Sequence, residues 1–108
     1  MNEKPTPILD QPLEFTEKGI PISLRPFFQE YVLENLDPDL HAFTVMERAL
    51  AWGDFAELRW LFGAYPRSML RAYVEQYGWR GLPLLSFNYW ANYFDVEIPE
   101  RGERIWPH

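Results

Sequence analysis

The residues best suited to chemistry lie in one short run, Asp37-Pro38-Asp39-Leu40-His41, which supplies two carboxylates and an imidazole. Carboxylates and imidazole bind hard or borderline cations when they converge on one point. The same run also suits the start of a helix, with Asp37 as N-cap, Pro38 at the first helical position and Asp39 near the positive end of the helix dipole. We therefore expect helix capping here, with no bound metal and no cofactor.

Catalysis finds little support elsewhere in the chain. There is no cysteine, which excludes a thiolate nucleophile and a zinc thiolate site. The serines lack the strand–turn–helix setting of a nucleophile elbow. The carboxylate pairs Glu14 with Glu17 and Glu97 with Glu100 lie in polar segments, where burial cannot separate the pKa values of two carboxyl groups. The sequence also has no phosphate-binding or dinucleotide-binding fingerprint. We expect a protein that is not an enzyme.

Two predicted helices, 54–64 and 67–77, are joined by a short turn and have the outline of a helix-turn-helix. Gly63 lies where this motif usually has glycine. Arg59 departs from the pattern, because a small residue is normal where the two helices pack closely. The second helix would present to the major groove of DNA a basic, hydroxyl-bearing set: Arg67, Ser68 and Arg71. A DNA-binding regulator is therefore the alternative function.

Aromatic residues outside the predicted core favour a protein partner instead, because Trp, Tyr and Arg anchor protein interfaces. Trp60 falls opposite the apolar stripe of its helix, and Tyr89 and Tyr93 fall on the outer face of the last helix. Trp106 follows Ile105 in the C-terminal tail. These four aromatic residues are the predicted partner-binding set, unless the chain termini fold back over them and make them core.

The positions of the apolar residues predict an all-α fold, a compact bundle of about five short helices over residues 23–95. An extended, proline-rich arm is predicted over 1–22, with a weak strand pair at Leu13–Phe15 and Ile20–Ile22, and an irregular tail over 96–108. The helix predictions, with their capping residues, are as follows: Leu24 to Asn35 capped by Ser23, a central helix from Asp37 that Gly53 ends in a left-handed conformation, a third helix with a capping box of Asp54 and Glu57, Arg67 to Gln76 closed by Gly78, and Pro83 to Phe94. The central helix is apolar except for a narrow strip and so should bury residues such as Phe43 and Trp52. The apolar stripes of the later helices predict a core that includes Phe55, Leu58, Leu61, Phe62 and Tyr65, then Met69, Leu70, Tyr73, Val74 and Tyr77, and finally Leu84, Phe87, Trp90, Ala91 and Phe94.

Composition limits the class of protein. Of the 108 residues 47% are hydrophobic and 18% aromatic, which excludes a disordered chain. The net charge of −6 is uneven, because residues 1–47 carry three bases and nine acids whereas residues 48–81 carry five arginines and three acids. The sequence has no apolar run long enough to span a membrane and no signal-peptide pattern. We expect a cytoplasmic protein, and association between copies of the chain is left open.

Several motifs between residues 25 and 95 carry a resemblance to known proteins. The motifs are Arg25-Pro26-Phe27-Phe28, Leu36-Asp37-Pro38, His41, Glu47-Arg48-Ala49-Leu50, Gly53-Asp54, Leu58-Arg59-Trp60-Leu61, Tyr65 and Phe87-Asn88-Tyr89-Trp90-Ala91-Asn92-Tyr93-Phe94. With them the chain resembles a family of small uncharacterised bacterial proteins that are often encoded beside nucleotidyltransferase-like proteins of the abortive-infection, toxin–antitoxin type. The resemblance implies an antitoxin whose partner is the neighbouring nucleotidyltransferase-like toxin. It departs at Leu82-Pro83, where the family tends to have Ser-Pro, and at Pro66, where glycine is frequent.

Overall fold

The computed structural model describes residues 12–99, and within them the predicted all-α fold is confirmed. Two short 3-10 helices, Ile22–Phe27 and Leu33–Asn35, precede the α-helices. A π-helical turn, Val74–Gly78, joins the helices Arg67–Tyr73 and Trp79–Gly81 into one continuous helical segment. The α-helices are α1 (Ala42–Trp52), α2 (Phe55–Ala64), α3 (Arg67–Tyr73), α4 (Trp79–Gly81) and α5 (Leu84–Tyr93).

Helix α1 is the central element, as its nearly continuous apolar face predicts. It contacts α2, α3, α5 and the first 3-10 helix. Val45 and Ala49 are fully buried on it, and they belong to the same core as fully buried residues of the surrounding helices, Leu61 on α2, Leu70 on α3 and Ala91 on α5. The surrounding helices are thereby held at fixed positions around α1, which sets the geometry of every surface between them.

The N-terminal segment turns where the Lys18-Gly19 pair predicts. Gly19 has a φ of +102°, a conformation that favours glycine. The predicted strand pair is reduced to one antiparallel bridge between Phe15 and Pro21, and Ile20 behind the turn is fully buried. The part of the predicted arm at residues 1–11 lies outside the described residues.

The predicted helix Leu24 to Asn35 is wrong, because the two 3-10 helices and a turn take its place. Pro26 lies inside the first of them, where its missing N–H cannot support a continuing α-helix. Ser23 makes no cap hydrogen bond, and its hydroxyl instead donates to the Glu57 carboxylate.

Two glycines act differently from their predicted roles. Gly53 ends α1 with a φ of −67° and is not left-handed; a Cβ at this position would lie 2.6 Å from the Ala49 carbonyl oxygen, so it is close approach that requires glycine. Gly78 has a φ of −62° and does not end the helix, which continues to Gly81. Tyr77, predicted to be buried, is exposed on this extension.

The start of α2 matches its prediction. Asp54 accepts a hydrogen bond from the Glu57 N–H (3.0 Å), and the Glu57 carboxylate accepts one from the Asp54 N–H (2.9 Å). This reciprocal capping box satisfies two N–H groups that lack helical partners. Glu57 is also buried, and the hydroxyl of Ser23 supplies a further donor to it.

Besides Tyr77, other residues predicted to be buried are exposed: Phe43 and Trp52 on α1, and Phe55, Met69 and Leu84. Phe55 and Leu84 are the first residues of α2 and α5, and Met69 lies in the first turn of α3. A helical stripe predicts burial only where a neighbouring element covers it, and these positions are left uncovered. Within residues 12–99, no helix combines the length and apolar character needed to cross a bilayer.

Candidate protein-binding surface

The Asp37–His41 run forms a turn that leads into α1. Asp37 Oδ1 accepts hydrogen bonds from the N–H groups of Asp39 (2.8 Å) and Leu40 (3.0 Å), and the Asp37 N–H donates to His41 Nδ1 (2.8 Å). The two backbone donors hold the pKa of Asp37 below its usual value. Among residues 12–99, no group of three or more histidine, cysteine or acidic residues is arranged to hold a metal ion. The predicted start of the central helix is wrong, because residues 38–41 form a turn and α1 begins at Ala42 with His41 as its N-cap. The Asp37 carboxylate caps N–H groups of this turn instead of the first turn of α1.

Tyr89 and Tyr93, both predicted to bind a partner, line one open groove of about 350 Å³ between α2 and α5. We call this the aromatic groove. Its lining residues are Phe55, Leu58, Arg59 and Phe62 on α2 and Tyr89, Trp90 and Tyr93 on α5. Residues four apart lie on one face of a helix. The facing edges of α2 and α5 therefore each supply one wall of the groove.

The floor of the aromatic groove is part of the core. Trp90 is buried, and its indole N–H donates to the Leu50 carbonyl oxygen at 2.9 Å. The ring of Phe62 lies 5.8 Å from that of Trp90 and 5.7 Å from that of Tyr93, centroid to centroid. Because these rings are fixed by a hydrogen bond and by close packing, the groove is preformed.

The rim of the groove is exposed and apolar. Phe55 is 54% exposed, Tyr89 62% and Tyr93 45%. Leu85, one helical turn before Tyr89, is 82% exposed and continues the same edge of α5. Large apolar side chains grouped in this way on a surface are typical of an interaction site, whereas single exposed ones are not.

Two arginines border the groove without a carboxylate partner among the residues that the structure describes. The Arg59 guanidinium lies 5.0 Å from the ring centroid of Phe55, and that of Arg67 lies 4.9 Å from the ring centroid of Tyr93. Within residues 12–99, neither arginine belongs to an ion pair, and no acidic residue lines the groove. The surface is therefore aromatic and positive.

The other two predicted partner-binding residues lie elsewhere. Trp60 is half-buried, packs against the core and meets the ring of Tyr65 edge-on at 6.3 Å; it is not part of the aromatic groove. Trp106 and its neighbour Ile105 lie outside the described residues. Phe55 and Arg59 also line the groove, although helical spacing places Phe55 in the core stripe and the helix-turn-helix pattern places Arg59 where the two helices pack.

The arginines predicted to contact DNA bind the end of α5. Arg71 donates from Nε to the Phe94 carbonyl oxygen (2.9 Å) and from Nη2 to that of Asp95 (3.1 Å). Arg67 donates to the Tyr93 carbonyl oxygen at 3.3 Å. Carbonyl groups at the C-terminal end of a helix lack helical donors and favour cations, so Arg71, with two such hydrogen bonds, has a structural role. Arg67 makes one longer bond of this kind and has no carboxylate partner among residues 12–99, so it also remains at the edge of the groove.

The other features of the predicted helix-turn-helix give no support to DNA binding. Ser68 is exposed, and Gly63 lies inside α2 rather than in the turn. A Cβ at Gly63 would meet no atom within 4 Å, so neither close helix packing nor backbone conformation requires glycine there. Arg59, which departs from the motif, is exposed at the groove and does not lie between packed helices.

A second cavity, of about 370 Å³, lies where the N-terminal segment meets the start of α2. Its walls include Glu14, Ser23 and Asp54. The carboxylate of Asp54 is engaged in the capping box, and the hydroxyl of Ser23 donates to Glu57. Because these polar groups are already used by the fold, we place the candidate binding surface at the aromatic groove.

Comparisons of the chain with protein families, with curated proteins and with solved structures give no match. The resemblance to the small bacterial proteins stays a prediction. The geometry and charge of the aromatic groove are the features that indicate a function.

Proposed function

We propose that the protein is a non-enzymatic protein-binding component, antitoxin-like, that neutralises a partner toxin by direct contact through the aromatic groove. The observation that carries this proposal is the meeting of exposed Phe55, Tyr89 and Tyr93 with Arg59 in one groove. Aromatic and arginine side chains clustered over a packed floor are the residues that dominate binding energy in protein interfaces. A preformed groove also loses little conformational entropy on binding.

The resemblance and the charge distribution support the toxin as partner. The family that the chain resembles is encoded beside nucleotidyltransferase-like proteins, whose clefts accept nucleotide or RNA phosphates. Residues 1–47 have a net charge of −6. An acidic segment complements a cleft built for phosphates and speeds association with it. The aromatic groove would supply affinity, and the acidic segment would block the toxin's cleft.

Co-expression with the product of the adjacent gene tests this proposal. The expected result is a stable complex that co-purifies and a relief of the growth inhibition that the toxin causes alone. Tyr89→Ala should weaken the complex, whereas Tyr31→Ala, which truncates an exposed tyrosine beside Arg48, should not. A monodisperse protein with no affinity for that product, together with unrelieved growth inhibition, would overturn the proposal.

DNA binding through helices 54–64 and 67–77 is the alternative, favoured by the net charge of +2 over residues 48–81. It has weaker support, because Arg67 and Arg71 bind backbone carbonyl groups of the same chain. If it holds, Arg67→Ala and Arg71→Ala should each reduce the salt slope of binding to upstream DNA by about one. If upstream DNA gives no band shift with the protein at low salt, this alternative is wrong.

A further inference from the structure

We infer that the aromatic groove receives an acidic amphipathic helix of the partner, with aliphatic side chains on one face and carboxylates beside them. The inference rests on the proposed function, that the groove is a protein-binding surface, and specifies what that surface recognises. Three properties of the groove support it: its walls, its charge and the partners that its charge disfavours.

The walls fit a helix. Both are edges of α-helices, with Phe55 and Arg59 four residues apart on α2 and Leu85, Tyr89 and Tyr93 four apart on α5. The exposed edge of α5 from Leu85 to Tyr93 extends over about 12 Å at 1.5 Å per residue. That length accommodates two turns of a docked helix, whose apolar anchors recur at three- and four-residue intervals. Within residues 12–99 the chain offers no strand beyond the Phe15–Pro21 bridge, so addition of a partner strand to a sheet is disfavoured.

The charge fits carboxylates. Arg59 and Arg67 stack on aromatic rings of the groove and form no ion pair among the described residues. A guanidinium beside an apolar wall forms strong charge-assisted hydrogen bonds to a carboxylate, because the ring excludes water from one side. A helix with glutamates flanking its apolar face would place carboxylates at these two positions.

The same charge disfavours a second copy of the chain. A two-fold homodimer joins a patch to itself, so it would bring Arg59 of each copy near the other across the groove without an acidic residue to separate them. Nucleic acid is disfavoured because, in the part of the chain that the structure describes, two guanidinium groups border the groove, whereas a strand needs a basic path along several phosphates.

Fluorescence anisotropy with the full chain tests the inference, using labelled helical peptides of about 14 residues, roughly four turns. One peptide has Leu at the anchor positions flanked by Glu; the matched peptide has Lys in place of each Glu. The Glu peptide should bind, and the Lys peptide should bind at least about tenfold more weakly, the loss expected for charge-assisted hydrogen bonds. Arg59→Gln should remove most of that difference, and Tyr89→Ala should weaken the Glu peptide. Tyr77→Ala, on an exposed tyrosine outside the groove, should leave it unchanged.

Equal affinity for the two peptides, no binding of the Glu peptide, or no effect of Arg59→Gln would overturn the inference. The inference would also be overturned if an oligothymidine, or a peptide of residues 100–108, displaced the labelled Glu peptide at a lower concentration than unlabelled Glu peptide does. Self-association of the chain that displaced the Glu peptide at such a concentration would overturn it too. Failure here leaves the proposed function standing if the co-expressed partner still binds in a Tyr89-dependent manner. Loss of that complex, with the Glu peptide bound, would overturn the proposed function alone.

Discussion

Arg48 on α1 and Arg59 on α2 both lie against aromatic rings, but they differ in their other partners. The Arg48 guanidinium lies 5.5 Å from the ring of Phe28 and 5.6 Å from that of Tyr31. It also donates to the Phe27 carbonyl oxygen, and it pairs with Glu30 at 2.6 Å. Among residues 12–99, Arg59 contacts the Phe55 ring and has neither an ion pair nor a hydrogen bond from its guanidinium.

The difference arises from the neighbours of each helix. The end of the first 3-10 helix brings the Phe27 carbonyl group to Arg48, and the turn after it brings Glu30. Helix α5 instead brings tyrosines to the groove beside Arg59. The same two residue types therefore stabilise the fold in one region and leave a binding surface in the other. Internal pairing, rather than residue type, separates structural arginines from candidate binding ones.

The largest expected difference is in stability on removal of each guanidinium. Arg48→Met should lower the free energy of unfolding by about 2 kcal/mol, because it removes a charged hydrogen bond to a backbone carbonyl group and a cation–π contact. Arg59→Met should change it by less than about 0.5 kcal/mol, as is usual for an exposed side chain. Urea denaturation of both variants measures this. Equal losses in the free energy of unfolding would show that the two arginines contribute equally to the fold.

Arg71 should behave as a structural arginine, like Arg48. Arg71→Met should cost about 1.5 kcal/mol, since the carbonyl groups of Phe94 and Asp95 lose their donor. Arg80→Met, which removes an arginine stacked on Trp79, serves as the control and should cost less than about 0.5 kcal/mol. Thermal or urea unfolding measures both. A loss for Arg80→Met as large as that for Arg71→Met would argue against a special role for the end of α5.

A smaller contrast is expected between a buried and an exposed tyrosine. The hydroxyl of Tyr65 donates to the Pro38 carbonyl oxygen at 2.7 Å, so Tyr65→Phe should cost about 1 kcal/mol. Tyr89→Phe, in the groove, should leave the free energy of unfolding unchanged within error, since Tyr89 is 62% exposed. Urea denaturation at neutral pH compares the two.

Tyr65 also predicts a loss of stability at alkaline pH. Burial raises the pKa of Tyr65 to about 12, so its contribution is present below the ordinary tyrosine pKa of about 10 and is lost as the pH rises toward 12. Tyr65→Phe should reduce the fall in stability over this interval. An identical alkaline profile in the two proteins would count against a buried, neutral hydroxyl.

The smallest effect concerns the carboxylate that pairs with Arg48. The hydrogen bond from Arg48 lowers the pKa of Glu30 to about 2, and Arg25 does the same for Glu34. A lowered pKa stabilises the fold above the ordinary value of about 4.3, and that stabilisation is lost as the pH falls toward 2. In Arg48→Met the pKa of Glu30 should return toward its ordinary value while that of Glu34 stays low, which carboxyl NMR titration follows. A Glu30 pKa that stays low would show that Arg48 is not its cause.

The predictions from sequence succeeded where the determining contacts are local. The capping box of Asp54 and Glu57 depends on residues three apart, and the inward positions Phe87, Trp90 and Ala91 of α5 follow from helical spacing. Local pattern failed where the determining contact is distant. Ser23 has the residue type of an N-cap, but its partner is Glu57, 34 residues away.

The candidate site was predicted in part for the same reason. Tyr89 and Tyr93 lie off the inward stripe of α5, so spacing alone predicted their exposure. Trp60 also lies off its helix stripe, but the Tyr65 ring and the core partly cover it, which no local pattern indicates. Phe55 and Arg59 join the groove only because α5 packs beside α2.

The central claim is that the aromatic groove binds the partner, and Tyr93 and Tyr77 test it most directly. They are the same residue type at nearly equal exposure, 45% and 47%, and each has ring contacts with neighbouring aromatic residues; only Tyr93 lines the groove. The measurement is the Kd of each serine variant for the co-expressed product of the adjacent gene. Tyr93→Ser should weaken binding by about tenfold or more, and Tyr77→Ser should leave it within about twofold of the unsubstituted protein. Equal affinity of the two variants, or a larger loss for Tyr77→Ser, would contradict the account.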